Sequence, residues 1–561
     1  MSAVYDLAAE YVERFAALHP VTATAAGITG HDYEITDYSL DGIAERADHD
    51  RAALRKLSAT PAESDRDRIA AEVLREDLQT RLEQHDAGER LRDLRIIDSP
   101  VSDVRMCFDL MPRETETDWE VIASRLALVP QALSGFQDAL TEGVRDGVVA
   151  AARQAAVCAQ QADVWGGLEA GTSPFFLTLV ADVERAGVGS PALSTRLEEH
   201  AQRATEAYAA LGRFLVQEYL PHAAERDAVG RERYALWARA FNGIDLDLDD
   251  TYAWGWHELH RLEQAMAQVA ERILPGASLD EVVEHLEHDP TRTIEGVDEF
   301  RGWLQALLDR TVVELDGVHF DIPEPVKAVE AMISPPGGAA AMYYTGPAED
   351  FSRPGRTWYP TLAHTSFPLW GEVSTCYHEG VPGHHLQIAQ VVYLAGELSR
   401  YQRTLAGSSG HAEGWALYAE RLMGELGYLD DPAFELGMLR AQAMRAARVV
   451  VDIGLHLELA IPDDERFAPG ERWTADLAVP FMIDRSKFGD EFAISEVDRY
   501  LGWPGQAISY KVGERVFLRA RDDARRRAGS SFDLKAFHAR ALDLGPMGLG
   551  QLERELARIE P

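Results

Sequence analysis

The chain has 561 residues, more than one hydrophobic core usually organises, so two or more subdomains are expected. Hydrophobic residues make up 46% of it, a folded globular composition and not a disordered one. Ninety-three acidic against 55 basic residues give a formal net charge of −38, which argues against nucleic acid or an anionic membrane as partner and leaves the substrate open.

Cys107, Cys158 and Cys376 are the three cysteines, too few and too odd in number for a disulfide framework; they suit a reducing compartment. Cys376 sits two residues before His378, where a small buried residue is the better reading than a nucleophile. The N-terminus lacks a basic region followed by an apolar run, and no stretch of roughly 18 apolar residues occurs. The expected compartment is therefore the cytoplasm, with no membrane partner. Composition leaves the oligomeric state open.

In chain order, Val4, Leu7, Ala8, Tyr11, Phe15 and Leu18 recur at helical spacing and predict a helix over 1–18. Residues 19–42 are turn-rich. A long helix is predicted from about Gly42 to Ala87, with a break at Thr60-Pro61. Helical spacing then dominates from Asp118 to Val164 and from Pro191 to Tyr219, where the apolar stripes are core. The acidic run Asp245–Asp250 lacks the glycine and spaced ligands of a calcium loop and is assigned as the cap of a helix starting near Thr251. Helices are predicted over about 251–272, 279–287 and 296–313.

The texture changes near residue 312. Val318–Ile322, Val329–Ile333, Ala341–Tyr344 and Thr357–Tyr359 are short, β-prone and separated by Pro and Gly, which predicts one small mixed sheet within 316–360. From the motif that follows, the chain is helical to its end. The fold class expected is mainly α, as an N-terminal helical subdomain (1–250) covering a cleft and a C-terminal subdomain (251–561) holding the sheet and the site.

That motif is Tyr377-His378-Glu379-Gly380-Val381-Pro382-Gly383-His384-His385-Leu386-Gln387. Imidazole is the commonest protein ligand of zinc, and a carboxylate beside a zinc-bound water is the usual general base of metallohydrolases. The segment opens like the His-Glu-x-x-His signature, in which two histidines at i and i+4 share a helix face. Here i+4 is Pro382. His385, at i+7, would lie roughly 10.5 Å along a regular helix, and His384, at i+6, would point off the face by roughly 120°. A regular helix fits neither, but Pro382 and Gly383 favour a break. If it absorbs two residues, His384 takes the place of i+4. His378 and His384 are the favoured ligands, with His385 in reserve.

Twenty-nine residues after His384 comes Glu413, in the helical run from Gly410 to Arg421. Two His and one Glu would leave a fourth position for water, the open geometry of a catalytic zinc site. Glu420, two turns after Glu413 on the same face, is too far to be a ligand of the same ion and is placed as an orienting partner of a ligand His. His411 is a weaker ligand candidate.

With these residues on the page, the chain resembles the bacterial DUF885 family. The resemblance is carried by His378–Gln387 and Glu413–Glu420. It extends through Ser352-Arg353-Pro354-Gly355, Asp452–His456, Glu496–Tyr500 and Pro504–Gly513, with Ala25-Ala26-Gly27 and Met111-Pro112-Arg113 near the N-terminus. It covers most of the chain. It implies a helical, zincin-like metallopeptidase architecture, with a small mixed sheet beside the metal helix and a deep cleft, and it supplies no substrate.

The expected chemistry is zinc-assisted hydrolysis of a peptide or small amide, carboxypeptidase- or dipeptidase-like, with Glu379 as general base. By analogy with similar helical peptidases, Tyr510 is the first candidate for oxyanion stabilisation and His456 the second. Arg353, Arg448, Arg499 and Lys511 are candidates for a substrate carboxylate. Iron, cobalt or manganese would also suit the ligands. Two rivals stay open. One is a helical scaffold with a structural or absent metal, and the other is a hydrolase of esters or non-peptide amides.

Overall fold

A computed structural model describes residues 2–559 apart from 170, 172, 335–341 and 363, and leaves out the side chains of 184–186. The chain is mainly helical and forms two compact units: Met1–Leu236 with Ser495–Trp503, and Trp237–Ile494 with Pro504–Pro561. The division falls at 236/237, where 250 was expected. A short C-terminal segment returns to the first unit, in which Gln154 Nε2 donates to the Asp498 carbonyl at 3.2 Å.

In the first unit the predicted long helix is two, Leu40–Ala59 and Asp65–Asp86. Pro61 forces the residue before it out of helical geometry, and Thr60 is extended; Ser64 then caps the second helix by accepting from the Asp67 amide. The turn-rich stretch 19–42 holds one short helix, Pro20–Ala25. Helix Glu116–Asp146 starts on a capping box between Thr115 and Asp118 and ends on Gly147 at φ 70°. It packs on Pro191–Phe214, burying Trp119, Leu126, Phe136 and Leu140 with Leu197, Tyr208 and Leu211.

The second unit carries seven helices that matter for the site: α1 (Leu248–Ile273), α2 (Val297–Leu315), α3 (Glu372–Glu379), α4 (His384–Tyr393), α5 (Ser409–Glu425), α6 (Pro432–Leu457) and α7 (Ser509–Ala528). Asp247 caps α1, accepting from the amides of Asp249 and Asp250, so the acidic run is a cap that begins the helix at Leu248. Helix α6 is buried along most of its length and packs on α1. Helices α5 and α7 approach closely because Gly414 faces Gly513; a Cβ on either would overlap the other's backbone.

Strands β1 (Thr293–Glu295), β2 (Val329–Ile333), β3 (Tyr343–Thr345), β4 (Gly355–Tyr359) and β5 (Ser366–Pro368) form two small sheets. One is mixed, in the order β2-β4-β3, with β2 parallel and β3 antiparallel to β4. The other is an antiparallel β1–β5 ribbon. Two strand expectations are corrected. Val318–Ile322 is not a strand, since Gly317 turns the chain so that only an isolated bridge joins Asp316 to Phe320. The β1–β5 ribbon, outside the expected 316–360, is missed because three-residue strands are too short to show alternation. Of Ala341–Tyr344, Ala341 lies outside the described residues.

Among the described residues no helix is long and apolar enough to cross a membrane. All three cysteines are free and buried.

Candidate metal centre

Helix α3 ends within the motif. The Gly380 amide donates to the Cys376 carbonyl at 2.9 Å, a regular helical bond, but the Gly383 amide reaches six residues back, to the Tyr377 carbonyl at 3.0 Å. Pro382 has no amide to keep the helix going, and the Val381–Pro382 bond is cis. Trp415 Nε1, on α5, donates to the Pro382 carbonyl at 2.8 Å, tying the loop to the helix that carries Glu413. Gly383 has no room for a side chain, because a Cβ there would overlap the carbonyl oxygens of His378 and Tyr377. Helix α4 then starts at His384.

The break brings His378 and His384 together, with ring centroids 4.8 Å apart and planes at 86°. Glu413, one turn into α5, completes the group. Its Oε2 lies 3.3 Å from His378 Nε2 and 3.5 Å from His384 Nε2. One ligating atom from each of the three residues lies within 4.8 Å of the others. His384 Nδ1, Glu379 Oε2 and Glu413 Oε2 are buried without a hydrogen-bond partner. The Nε2 atoms of two imidazoles converge on a carboxylate oxygen that is buried without a hydrogen-bond partner, a set that fits a divalent cation with an open coordination position.

The three side chains are strongly coupled in charge. Burial pushes the Glu413 carboxyl up, but His384 and His378 outweigh it and hold it well below the usual carboxylate range. Burial and Arg445 push His378 down, but Glu413 and Glu420 hold it up at about 9. Burial raises Glu379, which is 6% exposed, above the ordinary carboxylate value.

Glu420 is hydrogen-bonded to His378. Its Oε1 lies 2.7 Å from His378 Nδ1, and its Oε2 accepts from Ser374 Oγ at 2.7 Å. With Nδ1 carrying the proton toward Glu420, Nε2 is free to face Glu413. Arg445 Nη1 stands 3.5 Å from the same Oε1. Glu420→Ala is expected to weaken zinc binding by roughly 10- to 100-fold without unfolding the chain. Competition with a chromogenic chelator, alongside circular dichroism, checks this; unchanged affinity would remove Glu420 from the site.

His385 is not in the cluster. Its Nε2 lies 2.7 Å from the Val326 carbonyl and its Nδ1 2.9 Å from the Tyr344 hydroxyl, so both nitrogens are engaged on the sheet side. Burial holds it down at about 4, so it is neutral at pH 7. His411 is also buried, with Nδ1 3.1 Å from Gln387 Nε2. Burial pushes the Cys376 thiol up to about 12, which leaves it inert as a nucleophile.

The remaining candidates divide. The Tyr510 ring lies 6.5 Å from that of His378, and the Arg448 guanidinium is 4.7 Å from the Tyr510 centroid. His456 is on α6 eleven residues beyond Arg445, roughly 16 Å along the axis, and its Nε2 is 3.7 Å from Asp452 Oδ1. Lys511 is fully buried among Glu258, Gln442 and Glu514. Arg353 is used on the carbonyls of Gly346 and Pro354. Arg499 pairs with Glu496 in the first unit. Ser374 and Arg445 were missed by sequence reasoning. Ser374, one helical turn before His378, was findable from spacing. Arg445, on a separate helix, carried no signal.

The fold and site define a helical protein with a buried cluster of two histidines and a glutamate beside an unpartnered carboxylate. The chain belongs to the family described as bacterial protein of unknown function (DUF885), whose model matches residues 20–556. No curated protein matches it. A solved structure described as a "putative lipoprotein" from Colwellia psychrerythraea is similar at TM-score 0.84 and 22% identity, over 99% of each chain. Another, described as a "putative lipoprotein of unknown function" from Shewanella oneidensis, is similar at TM-score 0.74 and 17% identity, again over 99% of each chain. At these identities the likeness is one of fold.

Proposed function

We propose that this protein is a zinc-dependent metallohydrolase cleaving peptide or small amide bonds. The observation that carries the reading is Glu413 Oε2 at 3.3 and 3.5 Å from the Nε2 atoms of His378 and His384, beside the buried, unpartnered Glu379 oxygen. His378, His384 and Glu413 would hold the ion. When bound, zinc supplies Lewis acidity toward a carbonyl and acidifies water. Glu379 takes a proton at Oε2 from the attacking water and returns it to the leaving amine. Its burial raises its basicity, which suits both transfers. Tyr510, whose ring lies beside His378, donates its hydroxyl to the developing oxyanion. The same reading takes the architecture as zincin-like, with a deep cleft over the ligands; its support is the bond from His385 on α4 to Tyr344 on β3, which joins the metal helix to the mixed sheet.

The test is a peptide and amide library screened with zinc-loaded protein. Cleavage that a chelator stops and zinc restores is the expected result. A chain that holds one zinc and cleaves no peptide, amide or ester would overturn the hydrolase reading and leave a structural metal.

A further inference from the structure

Helix α6 carries Arg445 and Arg448 three residues apart, so both side chains lie on one face. Their guanidinium carbons are 5.4 and 4.7 Å from the centroid of the Tyr510 ring, and that ring lies 6.5 Å from the His378 ring. Two cations thus lie against the Tyr510 ring, which neighbours His378, in a chain whose net charge is −38.

Arg445 is under-used. Among the described residues its ion pair is the 3.5 Å approach of Nη1 to Glu420 Oε1, an oxygen already paired with His378 Nδ1 at 2.7 Å. Its Nε is buried with no hydrogen-bond partner, and its side chain keeps 14% exposure. A guanidinium offers five donors in a planar fork that matches a carboxylate, and a buried one left with unused donors is costly unless a ligand takes them. Neutralising Glu420 alone would not need the spare Nε.

We propose that Arg445, supported by Arg448, is the receptor for the free C-terminal carboxylate of the substrate, which makes this protein a C-terminal exopeptidase or dipeptidase. The inference rests on the metallohydrolase reading. Arg445 stands one carboxylate away from a metal-ligand histidine, on its Nδ1 side. An endopeptidase would have no use for a cation so close, since its substrate continues as neutral chain.

The experiment compares N-acetylated dipeptides ending in a free acid with the same dipeptides amidated, on the zinc-loaded full chain. Wild type is expected to cleave the acids with a kcat/KM about 10- to 100-fold higher, the range of a charge-assisted hydrogen bond. Arg445→Met should collapse that ratio toward one while zinc content stays at one per chain, and Arg445→Lys should restore part of it. A binding arm removes the dependence on turnover: calorimetry on zinc-loaded Glu379→Gln should give tighter binding of the acid than of the amide, and the double variant with Arg445→Met should lose the difference. If Arg445→Met releases zinc or unfolds, Arg448→Met and the wild-type ratio still decide. Equal cleavage of acids and amides by wild type overturns the carboxylate receptor and leaves the hydrolase intact. No cleavage of either, with a preserved acid preference in the binding arm, overturns the hydrolase and keeps the receptor. Equal binding in that arm overturns the receptor outright.

Discussion

Glu379→Gln is expected to lower kcat for peptide hydrolysis by about two to four orders of magnitude while zinc stays bound and KM barely moves. Glutamine matches glutamate in volume, so no cavity opens in a position that is 6% exposed. Glu379 does not belong to the three-residue cluster, so the ligand atoms are untouched. What is lost is the ability of Oε2, now buried without a partner, to accept and release a proton. Steady-state kinetics with elemental analysis of the same preparation gives both numbers. A variant that keeps wild-type kcat would mean that the base is elsewhere.

Gly383→Ala is expected to cost about 3 kcal/mol or more and to empty the site, although it changes no polar group. The added Cβ would collide with the backbone carbonyls of His378 and Tyr377, and backbone cannot swing aside as a side chain does. Relief requires the loop to open. That movement breaks the Gly383–Tyr377 bond and shifts His384, the next residue, away from His378. Gly396→Ala, where a Cβ would meet nothing within 4 Å, is the control. Thermal unfolding and zinc content are the readouts. A Gly383→Ala protein matching the control in both would show that the close turn does not hold the ligands.

Much of this was legible in the sequence where it depends on local chemistry. The apolar spacing of Val4 to Phe15, the capping role of the acidic run Asp245–Asp250, and the break at Thr60-Pro61 follow from propensities within a few residues. The interruption at Pro382-Gly383 was equally readable. The fate of the two adjacent histidines was not, because it is set from afar: Val326 and Tyr344, 59 and 41 residues away, engage His385, while Glu413 faces His384. Lys511 looked available for a substrate until folding buried it with Glu258, 253 residues earlier. Arg445 resembled any other helical arginine until α6 set it beside Glu420. Pattern reports which face of a helix is buried, and only tertiary packing decides what that face meets.

The most direct test of the account is metal stoichiometry by elemental analysis of chelator-free preparations of wild type, His384→Ala and His385→Ala. About one zinc per chain in wild type, lost in His384→Ala and retained in His385→Ala, is the predicted result. Zinc retained in His384→Ala, or a folded wild type that takes up none when zinc is supplied, would contradict it.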